Sequence, residues 1–129
     1  MEPQRLLVDT SVFIDYFRKR NKSKSVFYEL SLYHPIATSV VSYFEILAGA
    51  KEHDGPFLDE MFTHIQILEF TEKGAHIAAE LYQTLRKTNK LIEFRDLFIA
   101  ATALDHDCVL ATLNQKHFVR IPNLRLYSV

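Results

Sequence analysis

Three carboxylates in this sequence lie among apolar residues, where a charged side chain is costly. Asp9 follows the short apolar run Arg5–Val8. Glu45 lies inside a second apolar segment, and Asp96 opens the apolar stretch Phe94–Leu104. Because a buried ionised carboxylate needs a charged partner or a metal ion, each of these acids is a candidate for chemistry.

Each acid also has a structural interpretation that the sequence leaves open. Asp9 is a good N-cap for a helix that begins nearby. Glu45 lies on the flank of its apolar stripe, from which a carboxylate can reach solvent. Asp96 in a first helical turn gains from the helix dipole, or it pairs with Arg95 or Arg86. Taken singly, none of the three acids requires a function.

Taken together, the three acids favour a single metal site. Carboxylates about 4 Å apart repel each other by roughly 4 kcal/mol per pair at an effective dielectric constant near 20, and a divalent cation reverses the sign of that energy. Ligands that are all oxygen favour Mg²⁺ or Mn²⁺ over zinc. Such a cation activates water and neutralises charge on a phosphate, so the pattern indicates phosphodiester hydrolysis.

Other common catalytic arrangements lack support in this sequence. The six histidines show no H-x-x-x-H spacing, and no glycine-rich phosphate loop occurs. Ser11 and Ser42 have no glycine elbow around them, which argues against acyl transfer. The single cysteine, Cys108, excludes an internal disulfide and a cysteine-based zinc site.

Strand-like and helical segments alternate along the chain, which predicts an α/β fold with a parallel sheet covered on both faces. A length of 129 residues, 48% of them hydrophobic, suits one domain over residues 1–129 with a substantial core. The predicted strands are 5–8, 35–37, 65–70, 108–111 and 124–127. The predicted helices are 12–18, 25–33, 40–50, 55–64, a long helix capped by Thr71 and ended by residues 86–90, and 94–104.

The sequence also predicts a cytoplasmic location. No run approaches the roughly 18 apolar residues that span a membrane. The N-terminus lacks the long apolar core of a signal peptide.

Four sequence blocks, in order and in register, resemble the PIN domain family. They read LLVDTSV at Leu6–Val12, SYFEILAG at Ser42–Gly49, RDLFIAATA at Arg95–Ala103 and ATLNQKHF at Ala111–Phe118. The resemblance is specifically to the VapC-type toxins of prokaryotic type II toxin–antitoxin pairs. It covers essentially the whole chain, and four blocks together are far more specific than any one alone.

The resemblance implies a three-layer α/β/α fold with a central, mainly parallel sheet of four to five strands. It also implies a Mg²⁺- or Mn²⁺-dependent endoribonuclease, inhibited by a small cognate antitoxin and forming a homodimer. By position, the catalytic and metal-binding residues would be Asp9, Glu45 and Asp96. Hydrogen bonds from four further residues would support that site: Thr10, Ser11, Thr112 and Asn114.

His117 marks one departure from the family pattern. Many PIN domains carry a fourth acid at this position, three residues after the asparagine. With three carboxylates the site suits one cation better than two. The imidazole could hydrogen-bond the scissile phosphate or a metal-bound water, and the alternative is a partly buried structural histidine beside Phe118.

A basic run follows the first predicted helix and holds five of the fifteen basic residues: Arg18, Lys19, Arg20, Lys22 and Lys24. It is either a solvated loop or a patch that faces RNA or the antitoxin. The neighbouring Tyr16 and Phe17 either stack on bases or pack into the core. The net charge of −1 therefore excludes no nucleic acid, since setting aside the three clustered acids leaves +2.

The sequence thus predicts a toxin that hydrolyses RNA with a metal-activated water and leaves 5′-phosphate and 3′-hydroxyl ends. The alternative is a catalytically impaired PIN-like module that binds RNA or the antitoxin, motivated by the missing fourth acid. Hydrolysis of DNA is a third possibility, disfavoured because so short a chain lacks segments to hold a duplex.

Overall fold

The computed structural model describes residues 4–129, within which it contains four β-strands and six α-helices. The strands are β1 (Leu6–Val8), β2 (Ile36–Ser39), β3 (Gln66–Leu68) and β4 (Val109–Ala111). The helices are α1 (Thr10–Arg18), α2 (Val26–Tyr33), α3 (Val40–Gly49), α4 (Gly55–Phe62), α5 (Glu72–Lys87) and α6 (Phe94–Asp105). Single 3-10 turns cover Lys22–Lys24, Glu52–Asp54 and Gln115–His117.

The four strands form one parallel sheet in the order β3-β2-β1-β4. Leu6 pairs with Ile36 on one side and with Val109 on the other, so β1 is a central strand. The chain adds β2 and β3 on one side of β1 and then crosses back through α5 and α6 to add β4 on the other side. The direction of winding therefore changes between β1 and β4, which is where open parallel sheets form ligand sites.

Strand β1 shows how the sequence builds two cores. Successive side chains of a strand point to opposite faces of the sheet. Leu7 packs into the cluster under α5 and α6, together with Leu85 and Leu97. Leu6 and Val8 pack into the opposite cluster, which includes residues of α1, α2 and α4. The sheet is thus covered by helices on both faces, and the expected α/β/α layering is confirmed.

Polar residues fix where several helices begin. The side chains of Asp9, Ser25, Ser39 and Thr71 each accept a hydrogen bond from a backbone N–H of the following helix. Such caps satisfy donors that have no partner inside the first turn. Asp9 directly follows β1, Ser39 is the last residue of β2, and Thr71 follows β3 after two intervening residues. The predicted start of α1 at Val12 was therefore two residues late, because Asp9 already caps it.

The order of the predicted elements is confirmed, but β1, β3 and β4 are shorter than predicted, whereas β2 extends two residues further, to Ser39. The predicted fifth strand at Leu124–Tyr127 is reduced to one isolated parallel bridge between Leu110 and Leu126. The backbone N–H of Leu110 donates to Arg125 O at 2.9 Å, and Tyr127 N donates to Leu110 O at 2.8 Å. The segment reaches the sheet only after a turn at Asn123, whose φ is 65°. The sheet has four strands, the lower number of the expected range.

Among residues 4–129, no helix has the length and apolar character needed to cross a membrane.

The double-sided core gives a first prediction. Replacing the fully buried Leu7 with alanine should lower the free energy of unfolding by about 2–5 kcal/mol, because it removes a side chain from a packed interior and leaves a cavity. Urea unfolding followed by circular dichroism measures the change. Leu32→Ala on α2, where the side chain is 58% exposed, is the matched control and should change stability by less than about 0.5 kcal/mol. Equal effects at both positions would contradict the assignment of Leu7 to the core.

Candidate active site

Asp9 lies at the carboxyl end of β1, beside the end of β4. Its backbone N–H donates to Ala111 O at 3.3 Å, which ties it to the neighbouring strand. The residue is fully buried. A carboxylate thus occupies the point where the winding of the sheet reverses, and its role as N-cap of α1 holds it there as well.

Both oxygens of Asp9 accept hydrogen bonds. Oδ1 accepts from the backbone N–H of Ser11 at 3.0 Å and from Ser11 Oγ at 2.5 Å. Oδ2 accepts from Thr112 Oγ1 at 2.6 Å, across the gap between β1 and β4. Ser11 Oγ in turn accepts from the backbone N–H of Leu113 at 2.9 Å, so the two strand ends share one network.

Burial raises the pKa of Asp9 above its usual value. The hydrogen bonds from Ser11 and Thr112 and the positive charge of Arg95 act in the opposite direction, but they only partly offset the loss of water. This carboxylate therefore lacks sufficient compensation for its charge within the protein. Such an imbalance is typical of groups that bind a cation or take part in chemistry.

Glu45 reaches the same edge of the sheet from α3. Its Oε1 accepts from Thr10 Oγ1 at 2.6 Å, and its Oε2 accepts from Arg95 Nε at 2.7 Å. The Glu45 side chain is 29% exposed, so it stands between the buried network and solvent. Both interpretations of Glu45 therefore remain consistent with the structure. The carboxylate is partly exposed to solvent, and it also shares Arg95 with Asp96.

Asp96 lies in the first turn of α6 and is buried. Its Oδ1 accepts from Arg95 Nη1 at 2.5 Å, and its Oδ2 lies 3.2 Å from His117 Nδ1. The His117 ring is about half exposed, and its contact with Asp96 was part of neither sequence-based interpretation of this residue.

Arg95 interacts with all three acids. It bridges Glu45 and Asp96 directly and interacts with the charge of Asp9. Burial by itself would lower the pKa of Arg95, but the hydrogen bond that Arg95 donates to Glu45 and the charges of the three acids together raise it. The sequence had suggested a pair with Asp96, and it gave no sign of the bond to Glu45, which lies fifty positions away.

The fit of this site to a divalent cation is mixed. Its donors are all carboxylate and hydroxyl oxygens, which suits Mg²⁺ or Mn²⁺, and Asp9 carries a charge that its surroundings under-compensate. Across residues 4–129, however, no group of three or more His, Cys, Asp or Glu side chains lies close enough to hold a metal. The guanidinium of Arg95 occupies the space between two of the acids. The donor atoms thus suit a divalent cation, but two of the three carboxylates are bonded to Arg95.

The predicted supporting residues contact the acids in different ways. Thr10, Ser11 and Thr112 bond the acids through their hydroxyl groups. Asn114 joins the network through its backbone, whose N–H donates to Thr112 Oγ1 at 3.0 Å. The bond fixes the turn after β4 that carries Thr112.

Comparison with known proteins decides the family. Residues 6–124 match the PIN domain family. The chain belongs to the PIN domain family. Ribonuclease VapC1 of Methanocaldococcus jannaschii is 33% identical over 130 residues, covering 98% of this chain and 90% of that protein. Ribonuclease VapC19 of Mycobacterium tuberculosis is 32% identical over 120 residues, covering 92% and 96% of the two chains.

Solved structures support the same placement of this PIN domain. A chain in the VapBC2 complex of Rickettsia felis, bound to a DNA fragment from its promoter, superposes with a TM-score of 0.83 at 27% identity, covering 96% of this chain and 98% of that one. A chain of VapBC-1 from nontypeable Haemophilus influenzae also gives a TM-score of 0.83, at 25% identity, covering 97% and 98%.

Two lysines of the basic run in this PIN domain, Lys22 and Lys19, make contacts within the protein. Lys22 Nζ donates to the carbonyls of Tyr16, Phe17 and Lys19 at 2.8, 2.8 and 3.0 Å, and so satisfies acceptors at the end of α1. Lys19 pairs with Asp15 at 3.6 Å. The remaining members of the run are exposed: Arg18, Arg20 and Lys24. Tyr16 and Phe17 lie within an aromatic cluster with Phe27 and Phe57.

A depression adjoins Asp96, and two basic residues in its lining, Lys116 and Arg120, were not found from the sequence. The depression has a volume of about 510 Å³, and His117 also lines it. Lys116 and His117 lie in the last sequence block of the family resemblance, and Arg120 lies two residues after it. The signal available was the i, i+4 spacing of Lys116 and Arg120, which is too common to single them out.

An apolar groove lies on the other side of the acids. It has a volume of about 470 Å³ and extends from Thr10 and Glu45 to Phe57 and Leu58 on α4. Ile14 and Phe17 of α1 contribute to its wall. In this PIN domain, Glu45 thus lines the apolar groove and Asp96 lines the depression that contains Lys116 and Arg120.

The hydrogen bond between Thr112 and Asp9 gives a second prediction. Thr112→Val should lower the free energy of unfolding by about 1–3 kcal/mol, because a buried carboxylate oxygen and the Asn114 N–H both lose their partner. Thr84→Val, at an exposed position of α5, is the control and should be nearly neutral. Urea unfolding in EDTA measures both. A Thr112 variant as stable as the control would show that Asp9 does not depend on this bond.

Proposed function

We propose that this PIN domain, spanning residues 1–129, is a Mg²⁺- or Mn²⁺-dependent endoribonuclease and the toxin of a toxin–antitoxin pair. One observation carries the proposal: Asp9 is buried with a raised pKa at the switch point of the sheet, and Glu45 and Asp96 are joined beside it. The relatives named as VapC ribonucleases support the same activity. With RNA as substrate, we place the protein in the cytoplasm.

Asp9, Glu45 and Asp96 would hold the cation. A divalent cation lowers the pKa of water and neutralises charge that develops on a phosphate. The protein's own contribution is positioning. Thr112 and Ser11 fix both oxygens of Asp9, Thr10 fixes Glu45, and His117 contacts the outer oxygen of Asp96. Ligands held in this way keep their geometry without reorganisation during the reaction.

Lys116 and Arg120 are the residues that we assign to the RNA backbone. They line the depression that opens beside Asp96, and cations there attract phosphates. The exposed Arg18, Arg20 and Lys24 remain candidates at the far end of α1. Lys22 is a weaker candidate, because its ammonium already bonds three carbonyls.

Cleavage of RNA tests the proposed activity. The wild-type chain with Mg²⁺ or Mn²⁺ should produce fragments with 5′-phosphate and 3′-hydroxyl ends, and EDTA should abolish the reaction. Asp9→Asn and Asp96→Asn should each lower the rate at least about 100-fold, because each removes a cation ligand worth several kcal/mol in the transition state. Asp59→Asn, at an exposed position of α4, is the control and should retain full activity. Unchanged cleavage by either site variant would overturn the assignment of the site.

The alternative function, an RNA- or antitoxin-binding module without catalysis, has one observation in its favour. Arg95 fills the space between Glu45 and Asp96 where a cation is expected. The same experiments separate the two functions. A chain that binds RNA but neither cleaves it nor binds Mn²⁺ in calorimetry would be the binding module.

The apolar groove beside Glu45 is our proposed docking site for a small cognate antitoxin. It combines apolar walls from α1 and α4 with Lys22 and Asp54, which suits one amphipathic helix. The similar solved chains come from VapBC complexes. We also expect a homodimer. Phe44 and Leu47 are exposed apolar side chains on α3 that a second copy of the chain could cover. Light scattering would distinguish the dimer from one chain of 15.0 kDa.

Co-expression with the product of a short adjacent open reading frame tests the groove. The wild-type chain should co-purify with that product, and Phe57→Ala should weaken the complex about tenfold or more, because an aromatic anchor in a groove is worth 1–3 kcal/mol. Phe94→Ala is the matched control: both rings are about half exposed, 48% and 60%, but Phe94 lies outside the groove. Equal affinities of the two variants would place the antitoxin elsewhere.

A further inference from the structure

Arg95 occupies the position between two of the proposed cation ligands. Its Nε donates to Glu45 Oε2 at 2.7 Å and its Nη1 donates to Asp96 Oδ1 at 2.5 Å. Its side chain is 29% exposed, so it is only partly shielded from solvent. Arg95 and Asp96 are adjacent in the first turn of α6, so the backbone of Arg95 stays beside the site even when its side chain moves.

A guanidinium and a divalent cation compete for the same oxygens. Mg²⁺ and Mn²⁺ prefer carboxylate oxygens in a compact shell, with metal–oxygen distances near 2.1 Å for Mg²⁺. One oxygen of Glu45 and one of Asp96 already accept a hydrogen bond from the guanidinium of Arg95. A second cation at these oxygens would also be repelled by the first, most strongly where water is scarce. The guanidinium therefore opposes binding of a divalent cation at these two oxygens.

We propose that Arg95 is a built-in competitor of the divalent cation. In the metal-free protein it neutralises and positions Glu45 and Asp96, and the cation binds these two acids only when the guanidinium leaves them. The inference rests on the proposed function, because it assumes that these acids are the cation ligands. It explains why the acids are joined through Arg95 and form no group able to hold a metal within residues 4–129.

The surroundings of Arg95 allow such a movement. The side chain is 29% exposed, and its sequence neighbours Glu93 and Asp96 line the depression. Asp9 does not hydrogen-bond Arg95 and keeps its own bonds to Ser11 and Thr112. Movement of Arg95 thus frees two ligands without disturbing the third.

A purely structural ion pair makes the opposite prediction. If Arg95 only holds the two carboxylates in place, its removal disorders them and weakens cation binding. If Arg95 competes, its removal strengthens cation binding while it destabilises the metal-free protein, which then contains unpaired acids. The sign of the change in metal affinity separates the two roles.

Calorimetric titration of Mn²⁺ into metal-free protein, without RNA, measures that sign. Arg95→Met should bind Mn²⁺ at least about tenfold more tightly than the wild type, since loss of one competing interaction of more than about 1.4 kcal/mol changes an affinity by that factor. Arg95→Lys should lie between them, because lysine keeps the charge but not the fork that reaches two acids. Arg125→Met is the control: it breaks a surface pair with Asp107 at 2.8 Å and should leave the affinity unchanged.

Equal or weaker Mn²⁺ binding by Arg95→Met would overturn the inference, and so would absence of binding in both proteins. The result is independent of catalysis. A wild-type chain that binds Mn²⁺ but leaves RNA intact would overturn the proposed function and not the competition.

A second measurement needs no stable variant. In the wild-type chain, addition of diamagnetic Mg²⁺ should shift the NMR signal of the Arg95 Nε–H and speed its exchange with water, because its bond to Glu45 is lost. The Nε–H of Arg125 serves as the internal control. An Arg95 signal that stays in place while Mg²⁺ binds would also overturn the inference.

Discussion

The repulsion among three carboxylates at one edge of the sheet is the constraint on which the site depends. Two acids about 4 Å apart at an effective dielectric constant near 20 repel by about 4 kcal/mol. The protein limits that energy in two ways. Thr10, Ser11 and Thr112 direct hydroxyl dipoles at the acids, and Arg95 provides a full positive charge between two of them. Burial nevertheless keeps the pKa of Asp9 above its usual value.

The topology of the sheet produces this crowding. Strand β1 is central, and its end meets the end of β4 where the winding reverses. Asp9 and Thr112 extend directly from those two strands and bond each other. Helices α3 and α6 then bring Glu45 and Asp96 from either side. Residues more than a hundred positions apart thus meet because parallel strands end at the same edge.

The sequence predicted the parts of the site that depend on local pattern. Asp9 could be placed at a strand end because the apolar run before it stops there, and the acids of α3 and α6 stood out against their apolar neighbours. The family resemblance then supplied their grouping. The fold was predictable to the same extent: element order followed from periodicity, whereas the segment at 124–127 has strand-like residues but pairs through one bridge only.

Interactions set by tertiary packing were beyond the sequence. The bond from Arg95 to Glu45 joins two helices whose relative placement depends on both cores, and no spacing rule encodes it. The structural role of Lys22 could not be predicted from the sequence for a different reason. A lysine after a helix can bind RNA or satisfy the helix's last carbonyls with the same residue type, and only the geometry shows that Lys22 does the second.

The distribution of charge matters more for a polyanionic substrate than the net value of −1. Three carboxylates without compensation would repel a phosphate from the one place where it must bind. Arg95 offsets one of these three charges, and a divalent cation would offset two. If the cation displaces Arg95 from Glu45 and Asp96 but leaves it nearby, the site approaches neutrality, and the released guanidinium adds to the positive field of Lys116 and Arg120. Binding of the cation would then create the electrostatic condition for substrate binding as well as for hydrolysis. Because Arg95 lies directly before Asp96 on α6, it would compensate the acids in the metal-free site and would attract a phosphate once the cation has bound.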